Sequence, residues 1–327
     1  RMNKVSAKLR LKKELETDIA AINAALAVNL QTHVPLIAEV GRHILLSGGK
    51  RIRPLLFILA SRMCGHSSNH LTDFSTIFEY LHAATLLHDD VIDAAQVRRG
   101  ATTANNIWGN HAVILVGDFL LSKALSLAVT TDRLKILQVL AHTTTQMAEG
   151  EILQLLHTGD LTLTEAEYFE VITRKTAILM SAACQIGGIL AAAPPAREEA
   201  LARMGLNLGL TFQLVDDILD YTGDQRELGK EVGADLREGH VTLPLIHALS
   251  LANPRDRERL LEMARNLTPE MAPELRTLLD TYGSLEHARS LARQYTLKAQ
   301  EDLAAFDPCP EKTYFEIITG ELLARTH

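Results

Sequence analysis

Between His111 and Thr130 the chain runs AVILVGDFLLSKALSLAV, in which Asp118 and Lys123 carry the only charges. A helix that is apolar on every side has no face to give to water, so it belongs inside a bundle. Apolar residues recur at three- and four-residue spacing from Leu71 to Val91, from Val113 to Val129 and from Leu201 to Leu219, the period of an α-helix. Runs of alternating β-branched residues are absent, so a sheet has nothing to be built from. The breaks fall at Ser47-Gly48-Gly49, Cys64 to Ser68, Gly109-Asn110, Thr158-Gly159-Asp160, Pro194-Pro195 and Asn253-Pro254, where turn residues cluster. Thr164 with Glu167 reads as a capping box opening a helix. The expected fold is all-α, with ten or more helices.

Composition narrows the function. With 47% hydrophobic and 22% charged residues the chain is not disordered. A net charge of −7 and 5% aromatics lack the basic field and stacking platform of a nucleic-acid binder. Three cysteines, Cys64, Cys184 and Cys309, show no metal-ligand spacing, which fits a reduced, cytoplasmic protein. The first 20 residues have no apolar core, so no signal peptide is expected. The uncharged stretch Thr176–Ala196 is the one membrane-like segment, and its glycines and Pro194-Pro195 pair make it a core helix rather than a span. No linker divides the chain, so residues 1–327 read as a single domain.

Two segments carry chemistry. Leu87-His88-Asp89-Asp90-Val91-Ile92-Asp93 and Leu214-Val215-Asp216-Asp217-Ile218-Leu219-Asp220 both read D-D-x-x-D at the end of an apolar helix. On a helix, residues four apart share a face, so Asp89 pairs with Asp93 and Asp216 with Asp220. Like charges at that spacing cost a few tenths of a kcal/mol, and burying them unpaired costs several more. A cation is therefore implied. Oxygen-only ligands favour Mg²⁺, which keeps waters and is shared with substrate phosphates. A calcium EF-hand does not fit, because its twelve-residue loop is missing.

Phosphate also needs basic partners, and short groups supply them. They are Lys50-Arg51-Ile52-Arg53 behind Gly48-Gly49, Arg98-Arg99, Arg174-Lys175-Thr176 and Gly229-Lys230. Arg offers a bidentate fork and Lys a point charge. The glycines permit a tight loop, and Pro54 can start the next helix. His82 lies two turns before Asp89 on the same helix face.

Together these stretches resemble the trans-polyprenyl diphosphate synthases, long-chain type. The matching segments are GGKRIRP (48–54), LLHDDVIDAAQVRRG (86–100), GEILQ (150–154), RKT (174–176), FQLVDDILDYTGD (212–224) and GKEVGADLREGHVTLP (229–244). The resemblance implies an isoprenoid synthase-type helical bundle around a deep central cavity, and a homodimer. It implies condensation of an allylic diphosphate with isopentenyl diphosphate, with three Mg²⁺ ions per site. By position, Asp89, Asp93 and Asp216 would be direct Mg²⁺ ligands, with Asp90, Asp217 and Asp220 supporting them or binding through water. Arg98, Lys175 and Lys230 would hold the allylic diphosphate, with Thr176 and Gln213 beside it. Lys50, Arg53, His82 and Arg99 would hold the diphosphate of isopentenyl diphosphate. His240 stands where many members carry Lys, and a neutral imidazole there gives a hydrogen bond without a full charge.

In this family product length follows the helix before the first aspartate cluster. Thr85 and Ala84, four and five residues upstream of Asp89, are small, which leaves room for a chain running toward Leu81 and Phe78. Phe78 lies about 16 Å above Asp89 at 1.5 Å per residue. A long product of roughly C30 to C50, such as a quinone side-chain precursor, is expected on that depth. The alternatives are a C15 or C20 synthase, a non-catalytic subunit of a heteromeric synthase, and a purely structural helical protein. Terpene cyclases and squalene-type synthases have no use for the Lys50 to Arg53 segment.

Overall fold

The computed structural model describes residues 4–98, 100–223 and 232–325. Arg99 and Lys230, both expected at the site, lie outside the described residues. The described elements are helical apart from one small ribbon. They run α1 (Lys4–Asn29), α2 (Pro35–Leu46), α3 (Ile52–Met63), α4 (Leu71–Ile92), β1 (Val97–Arg98), β2 (Ala101–Thr102), α5 (Ala104–Trp108) and α6 (Asn110–Val129). Then come α7 (Leu134–Leu156), α8 (Glu165–Ile172), a π-helical turn (Thr173–Ala177), α9 (Ile178–Leu190) and α10 (Pro195–Thr222). The rest are α11 (Ala234–Arg237), α12 (Leu243–Leu251), α13 (Pro254–Arg265), α14 (Ala272–Thr281), α15 (Ser284–Leu303) and α16 (Pro310–Ala324).

Local chemistry sets many of these boundaries. The Thr164 hydroxyl accepts from the Glu167 backbone, and the Glu167 carboxylate accepts from the Thr164 backbone, so α8 opens on the expected capping box. Such a cap is worth about 1 kcal/mol. Asn253 caps α13 by accepting from the Asp256 N–H at 2.9 Å, with Pro254 at the first turn. The ribbon pairs Val97 with Thr102 and Arg98 with Ala101. It departs from the expectation of no strand, and two residues a side need no alternating pattern to pair.

The chain divides into two compact units. The first takes residues 1–141, 182–202 and 306–315, and the second takes 142–181, 203–305 and 316–327. In the first, α4 is central, with α6, α3, α1 and α2 packed on it. Phe57 and Phe78 meet there at 5.2 Å between ring centres, and the Tyr80 hydroxyl donates to the Leu26 carbonyl at 2.8 Å. In the second, Leu210, Leu214 and Ile218 of α10 form a core with Leu243, Leu245, Leu260 and Leu279.

α6 departs from the sequence expectation. Val113, Val116, Leu120, Ala124 and Ala128 are buried, while Leu115 is 67% and Val129 60% exposed, with Ile114 and Leu125 also open. α4 covers one face of this helix, and the opposite apolar face is open among the described residues. Among the described residues α6 is also the helix long and apolar enough to cross a membrane, with 33% of that window buried. The segment Thr176–Ala196, expected to stand out in this respect, is broken by the π-turn and by residues 191–194. Its α9 portion buries Leu179, Met180, Ala183, Cys184 and Ile186, as a core helix should.

Candidate active site

In the first unit, the first aspartate cluster sits at the C-terminal end of α4. Asp93 is its cap and donates its N–H to the Asp89 carbonyl at 2.8 Å. Asp89 and Asp93 are half-buried, whereas Asp90 is only 1% exposed. A carboxylate that deep needs a partner, and Arg98 provides it, with Nε at 2.8 Å and Nη2 at 2.7 Å from Oδ1. The ribbon makes this possible by turning the chain back toward α4. The Ala95 carbonyl at its root accepts from the Thr103 hydroxyl and the Asn106 amide. His82 is half-buried on the same helix, and its carbonyl accepts from the Thr85 hydroxyl at 2.7 Å.

The Gly48-Gly49 loop ends at Arg51, the residue before α3. Lys50 is exposed and Arg53 half-buried. Arg51 is not part of this open basic surface. It is 4% exposed and pairs with Glu79 of α4 at 2.6 Å.

The residues expected to govern product length also separate. His88 packs over Gly117 of α6, where an added Cβ would stand 2.3 Å from its Nε2. Ala84, one turn below His88 and 4% exposed, shares that face. Thr85, one turn below Asp89, shares the aspartate face and is half-buried. Leu81 and Phe78 are 2% and 0% exposed.

In the second unit, Asp216, Asp217 and Asp220 lie in the last turns of α10. Asp217 is fully buried. Its Oδ2 accepts from the Tyr168 hydroxyl at 2.5 Å and its Oδ1 from the Gln213 amide at 2.8 Å. Burial and the Asp235 carboxylate push the Asp217 carboxyl well above its usual range, against those two hydrogen bonds. The Tyr168 hydroxyl is likewise pushed up, first by burial. Asp220 is 1% exposed, and its carbonyl accepts from the Gly233 N–H at 2.8 Å. Asp216 is half-buried, with Oδ1 at 3.7 Å from Nη1 of Arg325.

Two glycines bring the other motifs of this unit to α10 and α7. A Cβ on Gly209 of α10 would stand 2.6 Å from the Ala177 Cα, and one on Gly150 of α7 2.8 Å from the Lys175 nitrogen. With those approaches open, the Thr176 hydroxyl donates to Gln213 at 3.0 Å and Lys175 Nζ donates to Glu151 at 2.8 Å. Arg174 pairs with Glu149 and Glu170. Arg174, Lys175 and Thr176 all lie in the π-turn, a local rearrangement often found at functional sites. His240 is set by the Gln154 amide, which donates to its Nε2 at 2.8 Å, while Glu238 lies 3.9 Å from Nδ1.

Sequence reasoning assigned no role to Tyr168 or Arg325, which lie in no quoted motif, nor to Glu151, Gln154 and Asp235, which lie in motifs whose other residues drew the assignments. The GEILQ segment was the available signal for Glu151 and Gln154.

Among the described residues no three His, Cys, Asp or Glu side chains are arranged to enclose a metal ion. A hard cation such as Mg²⁺ takes one or two carboxylates and completes its shell with water and phosphate. The half-buried carboxylates of Asp89 and Asp93 in the first unit, and of Asp216 in the second, are oxygen donors of that kind.

The polyprenyl synthetase family profile matches residues 34–281. The octaprenyl diphosphate synthase of Escherichia coli K12 is 40% identical over 305 residues, 93% of each chain. An all-trans-nonaprenyl-diphosphate synthase (geranyl-diphosphate specific) of Rhodobacter capsulatus is 37% identical, covering 93% of this chain and 92% of its own. The crystal structure of a polyprenyl synthase from Caulobacter crescentus CB15, complexed with calcium and isoprenyl diphosphate, superposes with a TM-score of 0.90 at 40% identity over 97% of both chains. The chain belongs to the polyprenyl synthetase family, and with that family it is a prenyltransferase.

Proposed function

We propose that this protein joins an allylic diphosphate to successive isopentenyl diphosphate units, releasing diphosphate and building a long all-trans polyprenyl diphosphate. The carrying observation is the repeated design of the aspartate clusters. In each, a deeply buried Asp is held by a neighbouring side chain, Asp90 by Arg98 and Asp217 by Tyr168, beside half-buried carboxylates, Asp89 and Asp93 in the first cluster and Asp216 in the second. The long-chain reading is supported by the octaprenyl and nonaprenyl relatives and by the small side chain of Thr85 below Asp89.

Asp89, Asp93 and Asp216 would hold three Mg²⁺ ions, with Asp220 and the two buried Asp residues in support. When bound, Mg²⁺ neutralises diphosphate charge as that group departs. Arg98, Lys175 and Lys230 orient the allylic diphosphate, with Thr176, Gln213 and His240 beside it. Lys50, Arg53, His82 and Arg99 orient the diphosphate of isopentenyl diphosphate. The allylic C–O bond breaks as diphosphate leaves, and the double bond of isopentenyl diphosphate forms the new C–C bond with the allylic cation. The departed diphosphate takes the proton whose loss restores a double bond. No side chain has to act as a nucleophile. Water has to be kept from the cation, which an apolar wall beside the charged groups would do.

We also read the chain as one domain, since the family match crosses both compact units, working as a cytoplasmic homodimer in quinone side-chain synthesis. The dimer reading is supported by the open apolar face of α6, which a second copy would cover.

A chelator in excess is expected to abolish condensation, and added Mg²⁺ to restore it. Mg²⁺ with pyrophosphate at about a hundred times its dissociation constant should raise the melting temperature by about 4 °C through linkage. Full activity in chelator, with no thermal shift from Mg²⁺ and pyrophosphate, would contradict the metal assignment.

A further inference from the structure

We propose that Arg51 is a positioning residue for the isopentenyl diphosphate site, fixing the loop that presents Lys50 and Arg53 and tying it to α4. The inference rests on the assignment of Lys50 and Arg53 given above. By composition Arg51 is one more cation in a basic run, yet its surroundings differ from those of its neighbours. Its side chain is buried between three helices, all in the first unit. Nε donates to Asn23 Oδ1 of α1 at 2.7 Å, Nη1 donates to Glu79 Oε1 of α4 at 2.6 Å, and Nη2 donates to the Leu45 carbonyl of α2. Its own carbonyl accepts from the Leu55 N–H at 3.1 Å, so the same residue starts α3.

The backbone supplies a second, independent sign. Arg51 has φ of 52°, in the left-handed region that a residue with a Cβ adopts only when its surroundings insist. The guanidinium fork supplies that insistence, because its three bonds fix the side chain in direction as well as distance. Lys50 and Arg53 flank this anchored point by one and two residues. Glu79, 6% exposed, lies on the same helix as His82 and Asp89. Arg51 thus sets where the two flanking cations stand relative to the imidazole expected to share their diphosphate. A Lys at this position would keep the charge but lose the fork.

The test is steady-state kinetics with Michaelis constants for isopentenyl and farnesyl diphosphate measured separately, alongside melting temperatures. The variants are Arg51→Gln, Arg51→Lys, Asn23→Ala, Lys50→Ala and the double variant Arg51→Gln/Lys50→Ala. Arg51→Gln should raise the KM for isopentenyl diphosphate about tenfold while the allylic KM stays within about twofold. Arg51→Lys should recover part of the loss. Asn23→Ala, which keeps the buried ion pair, should give about a threefold rise in the same KM in a protein that still folds, and it decides the matter if Arg51→Gln does not fold. Because Arg51 acts through Lys50, the double variant should show less than the product of the two single effects. A merely structural role predicts a lower melting temperature with both KM values unchanged or moving together, and multiplicative effects; that result overturns the proposal. If Lys50→Ala itself leaves the isopentenyl KM unchanged, the underlying site assignment fails and the inference fails with it. If Lys50→Ala raises that KM and the Arg51 and Asn23 variants do not, only the positioning role is lost.

Discussion

Asp89→Ala should lower kcat/KM for condensation by about 10³-fold or more, equivalent to at least about 4 kcal/mol of transition-state stabilisation. The expectation follows from where the charge develops. Diphosphate leaves with more negative charge than it carried in the bound substrate, so the groups that matter most are those holding the cations around it. Asp89 is half-buried at the end of α4, and removing it leaves the Asp90–Arg98 pair intact. Its melting temperature should therefore stay within a few degrees of the parent. Asp90→Ala should behave differently. It removes the hydrogen bonds that Arg98 makes to a buried carboxylate, and with Arg98 itself 32% exposed the loss is about 1.5–3 kcal/mol of stability. Circular dichroism melts beside initial rates separate the two effects. Near-parental activity in folded Asp89→Ala would remove the first cluster from the reaction.

The second large effect concerns product length. Thr85→Phe should shorten the product by several isoprene units with little loss of initial rate. Thr85 stands one turn below Asp89 on the aspartate face and is half-buried, so under the proposed reading a phenyl ring there would floor the route of the growing chain toward Leu81 and Phe78. Ala84→Phe, which from sequence alone looks equivalent, meets a different neighbourhood. Ala84 lies under His88 on the face where α6 comes close, at a glycine. A ring there overpacks the helix contact and should cost about 1–3 kcal/mol of stability. Product chains resolved by chromatography, together with melts, distinguish the two variants. An unchanged chain-length distribution in Thr85→Phe would contradict the idea that this face of α4 measures the product.

These cases show what the sequence carries and where it stops. The helices were legible because period and punctuation agree, down to the Thr164–Glu167 cap. The aspartate clusters and basic groups were legible because each is a compact local motif. The partition within the motifs was not. Lys50 and Arg51 are adjacent and equally basic, yet one is exposed and the other lies 4% exposed between three helices. Likewise, nothing in Asp216-Asp217 says which carboxylate will meet Tyr168, a residue 49 positions earlier. The π-turn under Arg174, Lys175 and Thr176 is invisible to helical periodicity, because one residue of slippage leaves the apolar pattern almost unchanged. The exposed face of α6 misled for a related reason. An all-round apolar helix states that both faces must be covered, and it does not state that one chain covers both.

The most direct test of the central claim is to incubate the protein with farnesyl diphosphate, labelled isopentenyl diphosphate and Mg²⁺, and to resolve the products by length. A Mg²⁺-dependent ladder ending in long chains of roughly C30 to C50, absent in Asp89→Ala, is the predicted result, set by the depth from Asp89 to Phe78. A ladder that stops at C20 or shorter would contradict the long-chain reading, and the absence of any elongated product would contradict the condensation itself.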